Sequence, residues 1–387
     1  MAMPSPPPQR IECLDILRGV ALLGMFVVHF HVHSTEPGGF DDTVRTLVWR
    51  LVETKAHGTF ALLFGAGFAI QLRRAEAQGR PFTGLYLRRL IVLAIFGVAA
   101  HAFFGYNVLL GYAVWALPLL VIREWSTRVL MVTAVLSAAS VVLYSTTTTW
   151  LSCHMHPDCV AAAAQSRRAE AIAVNQALEA AEAQASYMVL LAARLRHMAW
   201  FYTQPFFVMP GATLTLFIAG VLFVRHHLFD DARAHGRVLG GLAVFGVVSW
   251  ILDNWVLPTS FGLVRDQWLT FTYVACGLLL LAYAPTLASR LQPVAAAGRM
   301  ALTNYVLQIA ALDLLFSGYG FGLGKVRPVF GVVAALTCFA VEAAASTIWL
   351  RRFQFGPAEW LWRSLTYGER QPMRRAALPP RSERASA

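Results

Sequence analysis

From its first residues the chain alternates long apolar runs with short polar stretches that carry most of its arginines. A window of about 20 residues, the length of helix that crosses roughly 30 Å of hydrocarbon, picks out runs near 12–32, 58–72, 90–105, 108–122, 128–149, 208–224, 238–257, 267–286, 300–317 and 328–350. The pattern predicts an all-α, polytopic transmembrane helical bundle of about ten spans. The runs at 90–105 and 108–122 flank Gly105-Tyr106-Asn107 and are each only about 15 residues long. They read equally as two spans, as one tight helical hairpin, or as a re-entrant pair. No internal repeat is visible, so the inverted-repeat signature of secondary transporters is missing.

The polar stretches divide the chain further. Residues 1–10, "MAMPSPPPQR", form a Pro-rich tail, and no small-residue cleavage site follows the first run, which is therefore expected to remain in the mature protein. The transmembrane part is expected over 11–350, interrupted by a long loop at about 150–207. That loop is rich in Ala, Leu, Glu and Gln and predicts a solvated helix. From Tyr187 to Phe201 it becomes amphipathic, with Arg194, Arg196 and His197 among apolar residues, as suits a helix on the membrane surface or folded back over a cavity. Gly356-Pro357 ends the last run. Residues 351–375 then mix Trp360, Trp362 and Tyr367 with Arg363, Arg370, Arg374 and Arg375, an interfacial amphipathic segment whose simplest role is a membrane anchor. Residues 376–387 read as disordered.

Composition agrees with a membrane solvent: 57% of the 387 residues are hydrophobic and 14% charged. The net charge of +11 then reports topology and attraction to anionic lipid, and needs no nucleic-acid partner. Arginines cluster at 73–89, 123–128, 225–237 and 290–299 and after Arg351, which by the positive-inside rule makes these loops and both termini cytoplasmic and the 150–207 loop outward. Five cysteines are present. Cys13, Cys276 and Cys338 lie in or beside apolar runs and read as small core residues. Cys153 and Cys159 share the outward loop and are expected to form a disulfide; with His154 and His156 they also present four potential metal ligands, but an oxidised pair offers no thiolate, so no metal is expected.

The stretch "LDILRGVALLGMFVVHFHVH" at 14–33 carries ionisable residues into lipid. Positions 15, 18, 22, 25 and 29 share one helix face, and Arg18 to His29 spans three turns, about 16 Å. Asp15 is one turn from Arg18 and placed to pair with it. Gly19, Ala21 and Gly24 lack bulk and permit close approach by another helix or a slender ligand. Taken singly, Arg18 also reads as a positive-inside anchor and His29 as a packed histidine; together they point to a cavity or pathway, with His29 suited to accept a proton. Other polar positions at membrane depth are candidates for its wall: His101, Asn304, Tyr305, Gln308 and Glu342. Polar contacts between helices are the plain alternative for each.

Arg18, ten intervening residues and His29 resemble the Arg-ten-His pattern of the first helix of the membrane acyltransferase-three family. "LDILRG" also resembles the start of the heparan-α-glucosaminide N-acetyltransferase and YeiB-like families. "FALLFGAGFAIQLRR" at 60–74, "YLRRLIVLAIFGVAAHAFF" at 86–104, "GRMALTNYVLQ" at 298–308 and "RRFQFGPAEWLWRSLTYGERQP" at 351–372 point more narrowly to the YeiB-like bacterial membrane proteins with domain of unknown function 418. The resemblance covers about residues 10 to 375, and departs where many relatives have Asn in place of His29 and an acid in place of Asn107. It implies an inner-membrane acyltransferase that takes an acyl, acetyl-like group from cytoplasmic acyl-CoA and gives it to an outward-facing acceptor: a glycan, lipid or small metabolite. On that reading Arg18, with Arg88 and Arg89, holds the CoA phosphates, and the pantetheine arm is about as long as the rise to His29. His29 acts as general base or itself carries the acyl group. Two other classes remain open: a transporter or flippase in which Arg18 binds an anionic headgroup and His29 relays protons, and a non-catalytic scaffold.

Overall fold

The computed structural model describes residues 12–35, 38–105, 108–155, 157–204, 211–255 and 268–375. Among the described residues the fold is all-α, and its only strand-like pairings are the isolated bridges Ser34 to Val326 and Phe353 to Arg374. Helix α1 (Glu12–Val32) lies at the centre because nearly its whole circumference is apolar or small. It packs against α3 (Thr54–Ala77), α14 (Gln292–Arg299), α15 (Ala301–Phe316) and α16 (Pro328–Arg352). Small residues set how close these helices come. Gly19 of α1 lies against the Val294 carbonyl of α14, and Gly298 of α14 lies against the Asp15 carbonyl of α1, so the two backbones touch without side chains between them. A Cβ on Gly24 would come within 2.8 Å of that of Ala56 on α3. The expected close approach along the Gly19–Gly24 stretch is met by helices on both sides.

Helix α3 crosses α10 (Gly211–Arg225) in the same reciprocal way, Gly65 against the Phe217 carbonyl and Gly220 against the Leu62 carbonyl. Leu62, Phe217, Leu119 and Leu130 build one core there; Phe26, Ile309, Leu312 and Phe339 build another around α1, α15 and α16.

Many large apolar side chains lie on the outer surface. Ile91 and Ile95 of α4 (Thr83–Phe104), Val132 and Val135 of α7 (Thr127–Met155), Val244 of α11 (Gly236–Trp255) and Val341 and Ile348 of α16 are all more than half exposed. Soluble proteins seldom show such continuous apolar surface, whereas a lipid-facing belt requires it. Helices α1, α4 and α16 are long and apolar enough to cross a membrane. The apolar stretches at 108–122, 127–140, 213–225, 236–252, 269–283 and 301–316 coincide with six further expected spans but are shorter. The 58–72 run lies within α3, which is buried rather than lipid-facing.

Several local features differ from the sequence reading. The 108–122 run is two helices, α5 (Val108–Trp115) and α6 (Pro118–Ile122), broken where Pro118 removes a backbone donor. Gly97 of α4 packs against the backbone of Leu110, so α4 and α5 form a tight hairpin, while Tyr106 and Asn107 lie outside the described residues. Between α1 and α3 the chain forms a helix that the apolar pattern does not announce, α2 (Phe40–Val48), continued by a π-helical turn, Trp49–Glu53. Asp41 of α2 accepts from Arg327 Nε (2.7 Å) and from the Val329 amide (3.2 Å) at the start of α16, and the Arg327 guanidinium holds its carboxyl below the usual carboxylate range.

The 150–207 segment is helical: α7 extends to Met155 and is followed by α8 (Pro157–Glu182) and α9 (Tyr187–Phe201). The side chains of Cys153 and Cys159, and with them the expected disulfide, lie outside the described residues. Helix α9 folds back onto α4, α8 and α15 rather than lying free on the surface. Arg194, 3% exposed, forms a two-pronged ion pair with Asp313 of α15 and also donates to the Phe103 carbonyl (2.5 Å). Ser317 (2.7 Å) and Tyr319 (2.5 Å) complete the donors around that carboxylate.

At the opposite end, α12 (Leu269–Tyr283) leads through α13 (Pro285–Arg290) to α14, and the chain closes with α17 (Pro357–Tyr367). Pro357 presets the first turn. Glu359, in that turn, reaches across to the N-terminus of α15, where its carboxylate accepts the Leu302 (2.6 Å) and Thr303 (3.1 Å) amides and the Thr303 hydroxyl (2.5 Å). A carboxylate at the positive end of a helix dipole is a stable placement. Trp362 Nε1 donates to the Arg89 carbonyl of α4 (3.0 Å). These two contacts give the "FGPAEWLW" stretch a physical role: it ties α17 to α15 and α4.

Candidate functional site

Arg18 and His29 stand toward opposite ends of one unbroken helix, and each meets a separate cluster. At one level Arg18 pairs with Asp15 at 3.2 Å, as its three-residue spacing predicts. Its guanidinium lies beside Gly67 and Gln71 of α3, where Gly67 leaves room for it. Arg89 is placed by α4 so that its guanidinium carbon sits 3.7 Å from the ring centre of Trp362. The charges of Arg18 and Arg363 both act on it. Arg88, one residue earlier, is exposed and faces Gly368 at the end of α17. The three sequence-predicted arginines therefore gather at one end, joined by Arg363, which had been assigned to an anchor.

At the other level His29 is 4% exposed. Its ring centre is 6.2 Å from that of Tyr305 on α15 and 6.4 Å from that of His57 on α3. His57 Nδ1 lies 3.0 Å from the Glu53 carbonyl, which can only accept, so Nδ1 carries the proton and the Nε2 of the neutral ring is left as the acceptor. The π-helical turn supplies that carbonyl, and Tyr112 Oη donates to the His57 carbonyl (2.8 Å), fixing the turn from a third helix. Lys55, fully buried, sits two residues before His57. Tyr305, a candidate for the cavity wall, stands beside His29, whereas His57 and Lys55 were not among the sequence candidates. The available signal was a lysine and a histidine just before an apolar run in a chain with only two lysines.

The other candidates disperse. His101, completely buried, contacts Tyr202 Oη (2.9 Å) through Nδ1 and His197 Nδ1 (3.3 Å) through Nε2. Burial pushes the Tyr202 phenol up to about 12 and lowers the proton affinity of His197, so the outward partners of His101 are neutral near pH 7. His101 thus joins α4 to the returning α9. Asn304 donates to Ser346 Oγ (3.0 Å) and to the Ala297 carbonyl (3.2 Å), tying α14, α15 and α16 together. Gln308 donates to Glu342 across the same pair of helices (2.8 Å). These side chains therefore join helices: His101 links α4 to α9, and Asn304, Gln308 and Glu342 link α15 to α16.

The described structure is thus an all-α bundle with apolar helices on its exterior, a buried histidine cluster around His29 and an arginine cluster around Arg18 and Arg89. Residues 10–159 match the family described as heparan-alpha-glucosaminide N-acetyltransferase, catalytic, and residues 223–369 match protein of unknown function (DUF418). Curated relatives extend over nearly the whole chain. Uncharacterized protein YxaH of Bacillus subtilis is 28% identical over 94% of this chain and 96% of its own length. Uncharacterized protein YeiB of Escherichia coli is 28% identical over 92% and 96%, and an uncharacterized 39.9 kDa protein in the amylase 3'region of Bacillus acidopullulyticus is 26% identical over 94% and 96%. No solved structure matches. The resemblance to the YeiB-like, DUF418-containing proteins is borne out, with an N-terminal part similar to a transmembrane N-acetyltransferase.

Proposed function

We propose that this protein is a multi-pass inner-membrane acyltransferase that moves an acetyl-like group from cytoplasmic acyl-CoA to an acceptor on the outward side. The observation that carries this reading is the division of α1: Arg18 meets an arginine cluster at one level, and His29 meets His57 and Tyr305 about 16 Å along the same helix. Phosphates suit the first cluster, because guanidinium groups present paired donors to phosphate oxygens. A thioester reaching the second meets imidazoles in a site removed from water. The acceptor oxygen or nitrogen adds to the thioester carbonyl as His29 takes its proton; the C–S bond then breaks, and His29 returns that proton to the departing CoA thiolate, which restores the neutral imidazole. In the alternative route an imidazole nitrogen of His29 attacks the thioester carbonyl, the C–S bond breaks and the CoA thiolate leaves; the acceptor then takes the acyl group as the C–N bond breaks, and its proton ends on the thiolate.

Labelled acetyl-CoA and the purified full chain in detergent test the proposal. Transfer to an envelope extract, or label retained on the protein after denaturation, is the expected result; saturable flux of a solute into liposomes without acyl chemistry would favour a transporter instead. The direction of transfer rests on ten spans with both termini cytoplasmic. Arg225 donates to the carbonyls of Trp125 (2.7 Å) and Arg123 (3.0 Å), and Arg73 lies 3.7 Å from Asp230, so the arginine-bearing loops meet at one end of the bundle, in support of that topology. Reporter fusions at Arg80, Arg233 and the C-terminus are expected to read cytoplasm and one at Gln165 the outside. A cytoplasmic signal at 165 would reverse the route.

A further inference from the structure

We infer that α17 is the closing wall of a phosphate-binding site, with Arg363 as a direct ligand beside Arg89 and Arg18; the inference rests on, and deepens, the donor-binding end of the acyltransferase reading. Helix α17 is docked, not loose: Glu359 holds the N-terminus of α15, and Trp362 is fixed both by its bond to the Arg89 carbonyl and by the Arg89 guanidinium over its ring. That docking brings Arg363, the next residue, into range of Arg89. Arg363 is half-buried, its guanidinium carbon 4.5 Å from the ring centre of Phe355 and 5.7 Å from that of Tyr367. Among the described residues neither Arg89 nor Arg363 meets a carboxylate, and Arg363 Nε is buried without a hydrogen-bond partner.

Like charges brought together away from bulk water repel, and the arrangement becomes favourable when an anion joins them. A second observation points to the same ligand. Tyr86, 2% exposed and wedged between Phe68 and Phe82, carries a buried hydroxyl with no partner, and it acts on Arg89 from one turn away on α4. Among the described residues the Tyr86 phenol and the Arg89 and Arg363 guanidinium groups form a donor-rich set that meets no carboxylate, with the charge of Arg18 nearby. Phosphate oxygens supply an acceptor of matching charge.

The phosphate has two sources, the adenosine phosphates of CoA or the headgroup of an anionic lipid, and the test separates them. Binding of radiolabelled CoA and of 3',5'-ADP to the full chain in detergent is measured alongside binding of short-chain phosphatidylglycerol, for the parent, Arg363→Ala, Arg363→Lys and Tyr86→Phe. Arg290→Ala, an exposed arginine on α13, is the control. Arg363→Ala is expected to weaken the phosphate ligand by about tenfold or more, as loss of a charge-assisted pair implies, with Arg363→Lys intermediate, Tyr86→Phe weaker than parent and Arg290→Ala unchanged. Sensitivity of CoA and 3',5'-ADP names the nucleotide as occupant; sensitivity of phosphatidylglycerol alone names the lipid. Unchanged binding of all three ligands to an Arg363→Ala protein with the parental melting temperature overturns the site. Absence of acyl transfer by a parent protein that still binds 3',5'-ADP through Arg363 removes the acyltransferase reading and leaves the site standing.

Discussion

Replacing His29 by Asn is expected to lower acyl transfer by about 10²–10⁴-fold while leaving CoA affinity nearly unchanged. Asn keeps the polarity of a buried position, 4% exposed beside His57 and Tyr305, but cannot take up a proton near neutral pH. The contrast is with Arg18→Lys, which retains a charge beside Asp15 and loses the fork. That variant should bind donor more weakly yet turn over at saturating concentrations. One residue is asked to react and the other to bind, so the two substitutions must fail on different kinetic parameters. A correctly inserted His29→Asn protein that transfers at the parental rate makes His29 a packing residue, and His57, whose Nε2 is the free acceptor of its neutral ring, becomes the base to test.

The largest effect on stability is expected at Asp313. Its side chain is 1% exposed and is the counter-charge of Arg194, itself 3% exposed. Asp313→Ala leaves the guanidinium buried with only the Phe103 carbonyl and should cost about 3–5 kcal/mol. The double variant Arg194→Met, Asp313→Leu removes both charges and should recover most of that loss, since an apolar pair of similar volume often replaces a buried ion pair without penalty. Melting of the parent, Asp313→Ala and the double variant in detergent measures it. If Asp313→Ala melts with the parent, the pair does not hold α9 against α15, and the folded-back position of α9 needs another cause.

The parts of this structure that were legible in the sequence are those governed by local spacing. Asp15 and Arg18 are three residues apart on a helix, so their pairing follows from the helical repeat alone. The lipid-facing runs and the amphipathic switch at Tyr187 are likewise properties of a short window. Contacts between distant segments were not legible. Arg194 looked like a polar interruption because its partner lies 119 residues away, and Glu359 gave no signal because the Leu302 amide that it accepts lies 57 residues earlier. His57 was missed for a different reason: it precedes the apolar run at 58–72, and the π-helical turn that carries it into the bundle has no hydrophobic signature. His101 had the right depth but the wrong neighbours, since a return of α9 over α4 decides its contacts.

The docking of α17 also orders the biosynthesis of the protein. Insertion proceeds from the N-terminus, so α1, α3 and α4 are in place long before residues 357–367 leave the ribosome. Until then the Leu302 and Thr303 amides lack the Glu359 carboxylate, and Arg89 lacks the Trp362 ring. A nascent chain halted just short of Gly356 would hold α1 to α16 and still lack the contacts that join α4 and α15 through α17, so the docking of this short helix is a late step in the maturation of the bundle.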